Sequence, residues 1–247
     1  MRNSADTAFH TRLDSAPPAR GRGFEGTLPR EGFQFEDEVK TLNVDREKLV
    51  QQLEARGGEV TFDGFIVDEY FDIRNGSLPE LLGDWPRIRQ KYSHGKIEFQ
   101  LSIKDGRIQT ASGGTVTLES IDLTFESYDD AYKALGDMLE GVGISSADLY
   151  AHSSFGKFRT SVQCGNVQVD IDSLRFTKKD GEYEEDLRYI PTYAEFEVLH
   201  KIDSSEDEQN ARIAERDALM RELGLEPGPA EAQGKIGNLI DFYRARQ

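Results

Sequence analysis

From Ile97 to Lys104 the chain alternates without a break. Ile97, Phe99, Leu101 and Ile103 fall on one side, and Glu98, Gln100, Ser102 and Lys104 on the other. A run this regular is a half-buried strand with one wholly polar face. Other segments obey the same parity. Glu36, Glu38 and Lys40 oppose Phe35, Asp37 and Val39, and Lys157, Arg159, Ser161 and Gln163 oppose Phe158 and Val162. Gln168, Asp170 and Asp172 oppose Val167, Val169 and Ile171, while Tyr193, Glu195 and Glu197 oppose Ala194, Phe196 and Val198. Arg87 and Arg89 share a side in the same way.

The polar sides therefore collect six acids (Glu36, Glu38, Asp170, Asp172, Glu195, Glu197) and six bases (Lys40, Arg87, Arg89, Lys104, Lys157, Arg159). If the apolar sides pack against helices, these charges gather inside a curled sheet. The solvent faces of an open antiparallel sheet would alternate in the same way. Acids two residues apart on one face, however, repel and raise each other's pKa unless a cation intervenes. Carboxylate oxygens without a cysteine cage suit Mg²⁺ or Mn²⁺ rather than Zn²⁺. Arginines and lysines converging from several strands suit a polyanion with several phosphates. A metal-bound triphosphate meets both demands.

Composition narrows the alternatives. The 247 residues can bury a full core, and their net charge of −16 argues against general nucleic-acid or anionic-membrane binding while allowing a local basic pocket. The single cysteine, Cys164, permits neither an intrachain disulfide nor a cysteine metal cage, and its place at a turn reads as incidental. No apolar run approaches the ~20 residues of a membrane span. With no apolar signal segment at the N-terminus, a cytoplasmic protein is expected. His10, His94, His152 and His200 are scattered, and none is assigned to catalysis.

Residues 1–31, with Pro17-Pro18, Arg20-Gly21-Arg22-Gly23 and Pro29, read as a flexible tail ahead of one domain spanning 32–247. Helices are expected from Asp45 to the Gly57-Gly58 stop and over 129–140, 206–223 and 235–246. The 206–223 helix has so weak an apolar stripe that it reads as solvated or loosely docked. Further strands are expected over 58–73 and 115–126, with a turn at Asp105-Gly106 and a hairpin about Cys164-Gly165-Asn166. A charged loop over 178–185 leads to a strand over 189–199. About eight strands without βαβ alternation predict an α+β fold, a closed eight-stranded antiparallel β-barrel with flanking helices.

The ordered motifs are similar to those of a known family. Glu36-x-Glu38-x-Lys40 resembles the opening ExExK motif of the CYTH superfamily, the triphosphate tunnel metalloenzymes. That family includes class IV adenylate cyclases, thiamine triphosphatases and inorganic triphosphatases. The likeness continues through Asp68-Glu-Tyr-Phe-Asp72, Arg87-Ile-Arg89, Lys104, Lys157-Phe-Arg159, Asp172, Glu195-Phe-Glu197 and Lys235. Thr115 and Thr117 depart from it, on a strand that often supplies a basic residue in the family, and leave Glu119 as the match there.

The resemblance implies catalytic roles for Glu36, Glu38 and Lys40 and a tunnel that binds Mg²⁺ or Mn²⁺ through Glu36, Glu38, Asp172, Glu195 and Glu197. It implies phosphate binding by Lys40, Arg87, Arg89, Lys104, Lys157, Arg159 and Lys235. The expected activity is metal-dependent hydrolysis of an inorganic, thiamine or nucleoside triphosphate. A cyclase making cyclic AMP and pyrophosphate from ATP, or a non-catalytic triphosphate sensor, are alternatives on the same scaffold. The expected partner is a small-molecule triphosphate, not nucleic acid or membrane, with the chain a monomer or homodimer.

Overall fold

A computed structural model describes residues 34–79, 85–109, 115–141, 143–201 and 204–246, with the backbone alone for 34–35 and 104–122. The expected N-terminal tail lies outside the described residues. Among those described, nine strands form one antiparallel sheet: β1 (Gln34–Thr41), β2 (Glu59–Ile73), β3 (Arg87–Ser93), β4 (Lys96–Gln109), β5 (Thr115–Phe125), β6 (Leu149–Cys164), β7 (Val167–Lys179), β8 (Glu182–Asp186) and β9 (Tyr193–Lys201). Four helices flank them: α1 (Arg46–Glu54), α2 (Tyr128–Gly141), α3 (Glu206–Glu222) and α4 (Ile236–Arg244). The strand order is β6-β2-β3-β4-β5-β1-β9-β7-β8. β6 also pairs with β7 along its other edge, from Ser153↔Lys179 to Cys164↔Val167.

The expected α+β antiparallel architecture is present, but the count of eight strands is exceeded by β8. The charge run over 178–185 hides a hairpin. Asp180 and Gly181 both adopt positive φ (51° and 81°), the backbone of a two-residue hairpin turn, so β8 folds back on β7. The turn expected at Asp105-Gly106 is instead a pair of register shifts inside one long strand, β4. The last strand starts at Tyr193 rather than residue 189. Pro191 has no N–H to give a ladder, and residues 187–190 close a turn through Ile190 N–H to the Leu187 carbonyl (3.0 Å).

Outward apolar residues meet the helices as parity requires. Val39, Val169, Ile171, Phe196 and Val198 pack with Leu49 and Leu53 of α1 and Leu219 and Met220 of α3. Phe71, Ile88 and Leu101 pack beneath Ala131, Leu135 and Leu139 of α2. On the inward side, by contrast, Leu174 and Tyr193, with Leu187 just after β8, receive Leu239 and Ile240 of α4.

Asp45 caps α1 by accepting from Lys48 N–H (3.1 Å), and Ser205 with Glu208 forms a capping box on α3. The expectation of a solvated α3 is corrected. Arg216, fully buried, pairs with Asp37 on the outward face of β1. One buried ion pair and a short apolar end dock this helix, and neither produces a periodic stripe.

Candidate functional site

The polar faces of the strands line a cavity of about 640 Å³ rich in charged residues. Register decides which charges meet. Across β1 and β9, Glu38 stands directly opposite Glu197, and Lys40 opposite Glu195. Glu36 lies two residues before Glu38, on the same face. Across β9 and β7, Glu195 is opposite Asp170, and across β7 and β6, Asp172 is opposite Arg159.

The deepest part is a knot of ion pairs. Arg159 donates through Nε to Asp172 Oδ1 (2.7 Å) and through Nη2 to Asp172 Oδ2 (2.5 Å) and Glu195 Oε2 (3.0 Å), and its Nη1 meets Asp170. Lys157 Nζ donates to Asp172 Oδ2 (2.7 Å), and Tyr193 O–H to the same oxygen (3.2 Å). Asp172 is completely buried.

Burial alone would raise the Asp172 carboxyl, but Arg159 and Lys157 hold it below the ordinary range. Glu195 is depressed by the same contest, with Lys40 its strongest opposing charge. Lys157 is pulled down, first by burial and then by Arg159 beside it. Burial also depresses the Lys40 ammonium, yet Glu195 and Glu38, at 3.0 and 2.9 Å, outweigh it and raise the group above ordinary lysine. The Tyr193 hydroxyl is raised by burial and by Asp172, so it donates at all ordinary pH.

A second cluster sits on β2 and β3. Arg89 grips both oxygens of Asp68 (2.6 and 2.9 Å), and Arg87 donates to Ser102 Oγ from Nε (3.0 Å) and Nη2 (2.8 Å). Burial pushes the Asp68 carboxyl up, but Arg89 and Arg87 carry it well below the usual carboxylate value. The alternation of β2 explains the placement: Asp68 and Tyr70 line the cavity while Phe71 enters the core.

The mouth of the cavity is aromatic. Trp85 stacks on His152 (centroids 5.6 Å apart, planes 12° apart), and Lys235 Nζ lies 4.7 Å from the centre of the Trp85 ring. Asp72 fixes this corner by accepting from Trp85 Nε1–H (3.2 Å) and from the N–H of Leu78 (2.8 Å).

Of the residues expected to act, Glu36, Glu38, Lys40, Arg87, Arg89, Lys157, Arg159, Glu195, Glu197 and Lys235 all line this one cavity. The Lys104 side chain lies outside the described residues. Asp172 and Glu195 are engaged by Lys157, Arg159 and Lys40. Asp68, Trp85 and His152 join the site without being expected there. For Asp68 the signal is available: it shares a strand face with Tyr70, next to the Arg87/Arg89 strand.

Glu36, Glu38 and Glu197 fit a hard divalent cation. Their donors are all oxygen, and like charges directly opposite across a ladder are destabilising without a counter-charge. Among the described residues no three His, Cys, Asp or Glu side chains form a cage alone. Mg²⁺ is commonly held by one or two carboxylates with phosphate oxygens and water completing its shell. Cys164 carries no such role, since burial pushes its thiol up and away from the reactive thiolate. No helix among the described residues is long and apolar enough to cross a membrane.

No protein-family model matches the chain, and no curated protein matches its sequence. Solved structures do match. The PH1819 protein from Pyrococcus horikoshii superposes with a TM-score of 0.57 at 19% identity, covering 85% of this chain and 99% of that one. A candidate adenylyl cyclase from Hippeastrum, described as having a dominant triphosphatase activity, gives 0.54 at 14% identity over 87% and 96%. A candidate adenylate cyclase from Vibrio parahaemolyticus gives 0.52 at 16% identity over 79% and 91%. At these identities the likeness speaks for the backbone, and with the strand order and the inward charges already described, the chain adopts the CYTH fold.

Proposed function

We propose that the chain is a metal-dependent phosphohydrolase that cleaves a triphosphate held inside its charged sheet. One observation carries the reading: Glu36, Glu38 and Glu197 lie on the wall formed by β1 and β9, while Lys40, Arg87, Arg89, Lys157 and Arg159 line the same cavity. The β6–β7 ladder joins the first strand of the sheet order to the eighth, which supports a sheet closed into a tunnel. The Hippeastrum protein's described triphosphatase activity supports hydrolysis on this fold.

Glu36, Glu38 and Glu197 would hold Mg²⁺ or Mn²⁺. Once bound, that cation neutralises charge on the phosphoryl oxygens. Arg87, Arg89 and Lys235 bind and orient the phosphate chain. Lys157 and Arg159, fixed by Asp172, Asp170 and Glu195, set N–H donors at the floor that need no reorganisation as charge develops. Lys40, held cationic by Glu38 and Glu195, stands between this floor and the metal wall. Hydrolysis joins a water oxygen to the terminal phosphorus, breaks the bridging P–O bond and releases orthophosphate.

The test is a substrate panel with product identification. With Mg²⁺ or Mn²⁺, the purified chain should release orthophosphate from tripolyphosphate, thiamine triphosphate or a nucleoside triphosphate. Cyclic nucleotide plus pyrophosphate from ATP would establish the cyclase instead. A folded chain that turns over none of them would overturn the hydrolase reading.

A further inference from the structure

Three consecutive residues ahead of α4 reach the site from outside the sheet, and two of them meet it at Lys40. The described β5 ladder reaches Glu38 on β1. Two residues on, a side chain serves the Lys40 backbone. Gln233, 1% exposed, accepts the Lys40 N–H on Oε1 (2.8 Å) and donates from Nε2 to the Lys40 carbonyl (2.9 Å) and the Gly228 carbonyl (2.9 Å). Gly228 N–H donates to the same Lys40 carbonyl (2.7 Å). A carboxamide offers an acceptor and donors at one end, so it can pair with one strand residue as a neighbouring strand would.

The next residue, Gly234, accepts from Lys40 Nζ on its carbonyl (2.6 Å). The one after it, Lys235, carries the ammonium that lies against Trp85 at the mouth. A residue between Gln233 and Lys235 thus caps the site lysine, and both flanking side chains are fixed. Asn238 Nδ2 donates to the Gln233 carbonyl (2.8 Å) and ties α4 to the same joint.

We infer that Gln233 is a positioning residue: its buried amide splices the 228–235 segment onto β1 and thereby places Lys235 at the cavity mouth and the Gly234 carbonyl on Lys40. The joint stands apart from the proposed activity, although its effect on turnover rests on that reading. Loss of this amide should raise KM for tripolyphosphate about tenfold, the weight of one or two buried hydrogen bonds, with a smaller change in kcat.

Trp85 is the chain's single tryptophan, so its fluorescence reports the Lys235 contact directly. Lys235→Ala should change Trp85 emission, and Gln233→Ala should reproduce that change with an unaltered far-ultraviolet circular dichroism spectrum. Wild-type emission in either variant overturns the inference. Gln233→Glu gives a second arm that does not need the alanine variant to fold. A neutral carboxylic acid can replace one of the two donations the amide makes, and a carboxylate can replace neither. Emission of that variant should therefore return toward wild type as pH falls below about 5. A difference that stays flat with pH overturns the inference. Because emission needs no turnover, a failed joint leaves the hydrolase reading standing, and an inactive chain with the expected emission overturns only the latter.

Discussion

The inward faces of β1 and β7 carry the same sequence device, two acids two residues apart, and the fold uses them in opposite ways. On β7, Asp170 and Asp172 are buried and engaged by Arg159, with Lys157 and Tyr193 also on Asp172. On β1, Glu38 touches Lys40 yet stands directly opposite a third acid, Glu197. The difference lies in the cross-strand neighbour. Both strands border acidic β9, but the other neighbour of β7 is β6, whose inward residues at this level are basic, whereas the other neighbour of β1 is β5. The first arrangement compensates charge internally and stabilises the fold. The second sets like charges side by side, where the proposed cation would bridge them.

The largest effect expected from this contrast is on stability at β7. Asp172→Asn removes one charge from a fully buried cluster and leaves Lys157 with Asp68 at 4.0 Å as its remaining acid. Uncompensated buried charge typically costs about 3–5 kcal/mol, read as a lower urea midpoint at unchanged slope. The same chemical change on β1, Glu38→Gln, should leave the midpoint within about 1 kcal/mol because it relieves the Glu38/Glu197 repulsion while losing one contact to Lys40.

Activity should invert the order. Glu38→Gln is expected to lower metal-dependent phosphate release by about a hundredfold or more, roughly 3 kcal/mol of transition-state stabilisation, with the fold intact. Equal loss of stability in the two variants would break the comparison. So would full turnover in Glu38→Gln.

How far the sequence carries this contrast follows from what parity can and cannot specify. Alternation places Glu36, Glu38, Asp170, Asp172, Glu195 and Glu197 on inward faces, and the structure puts all but Asp172 along the cavity and Asp172 buried behind it. Alternation is silent on register. Whether Glu197 faces Glu38 or Lys40 depends on a two-residue slide of β9 against β1, and pairing over that distance is set by turns and packing elsewhere. For that reason parity does not foresee the ion-pair knot. Asp180-Gly181 is legible as a hairpin turn but lies inside a charge run. The Arg216–Asp37 pair and the Gln233 amide link residues 179 and 193 positions apart through one side chain each, which leaves no periodic trace.

The pH dependence of stability tests the same knot with a smaller effect per group. Asp68, Asp172 and Glu195 all have folded pKa values below their ordinary ones. Their contribution is therefore fully present above the unfolded carboxylate range, near pH 4, and is lost as pH falls through the depressed values. Lys40 is raised, so its contribution holds below the ordinary lysine pKa and fades as pH climbs through the raised one. Thermal unfolding should fall below about pH 4, because each tenfold preference of the fold for an ionised carboxylate is worth about 1.4 kcal/mol. Asp172→Asn should make that acid limb shallower. An equally steep limb would remove Asp172 from the set that titrates.

The smallest effect comes from a pair with the same chemistry outside the cavity. Arg46 at the start of α1 meets Asp63 on β2, and Thr160 bridges them by accepting from Arg46 Nε (2.7 Å) and donating to Asp63 (2.9 Å). The Arg46 and Asp63 side chains are 41% and 52% exposed, so water solvates both charges whether or not they touch. Arg46→Ala should then cost under about 1 kcal/mol in the urea assay, and 0.5 M salt should shrink the difference further. This substitution isolates burial as the variable, because the guanidinium–carboxylate contact is of the same kind as that of Arg159 with Asp172. A cost approaching that of Asp172→Asn would mean that contact chemistry, and not exclusion of water, separates the β7 knot from the rest of the molecule's charges.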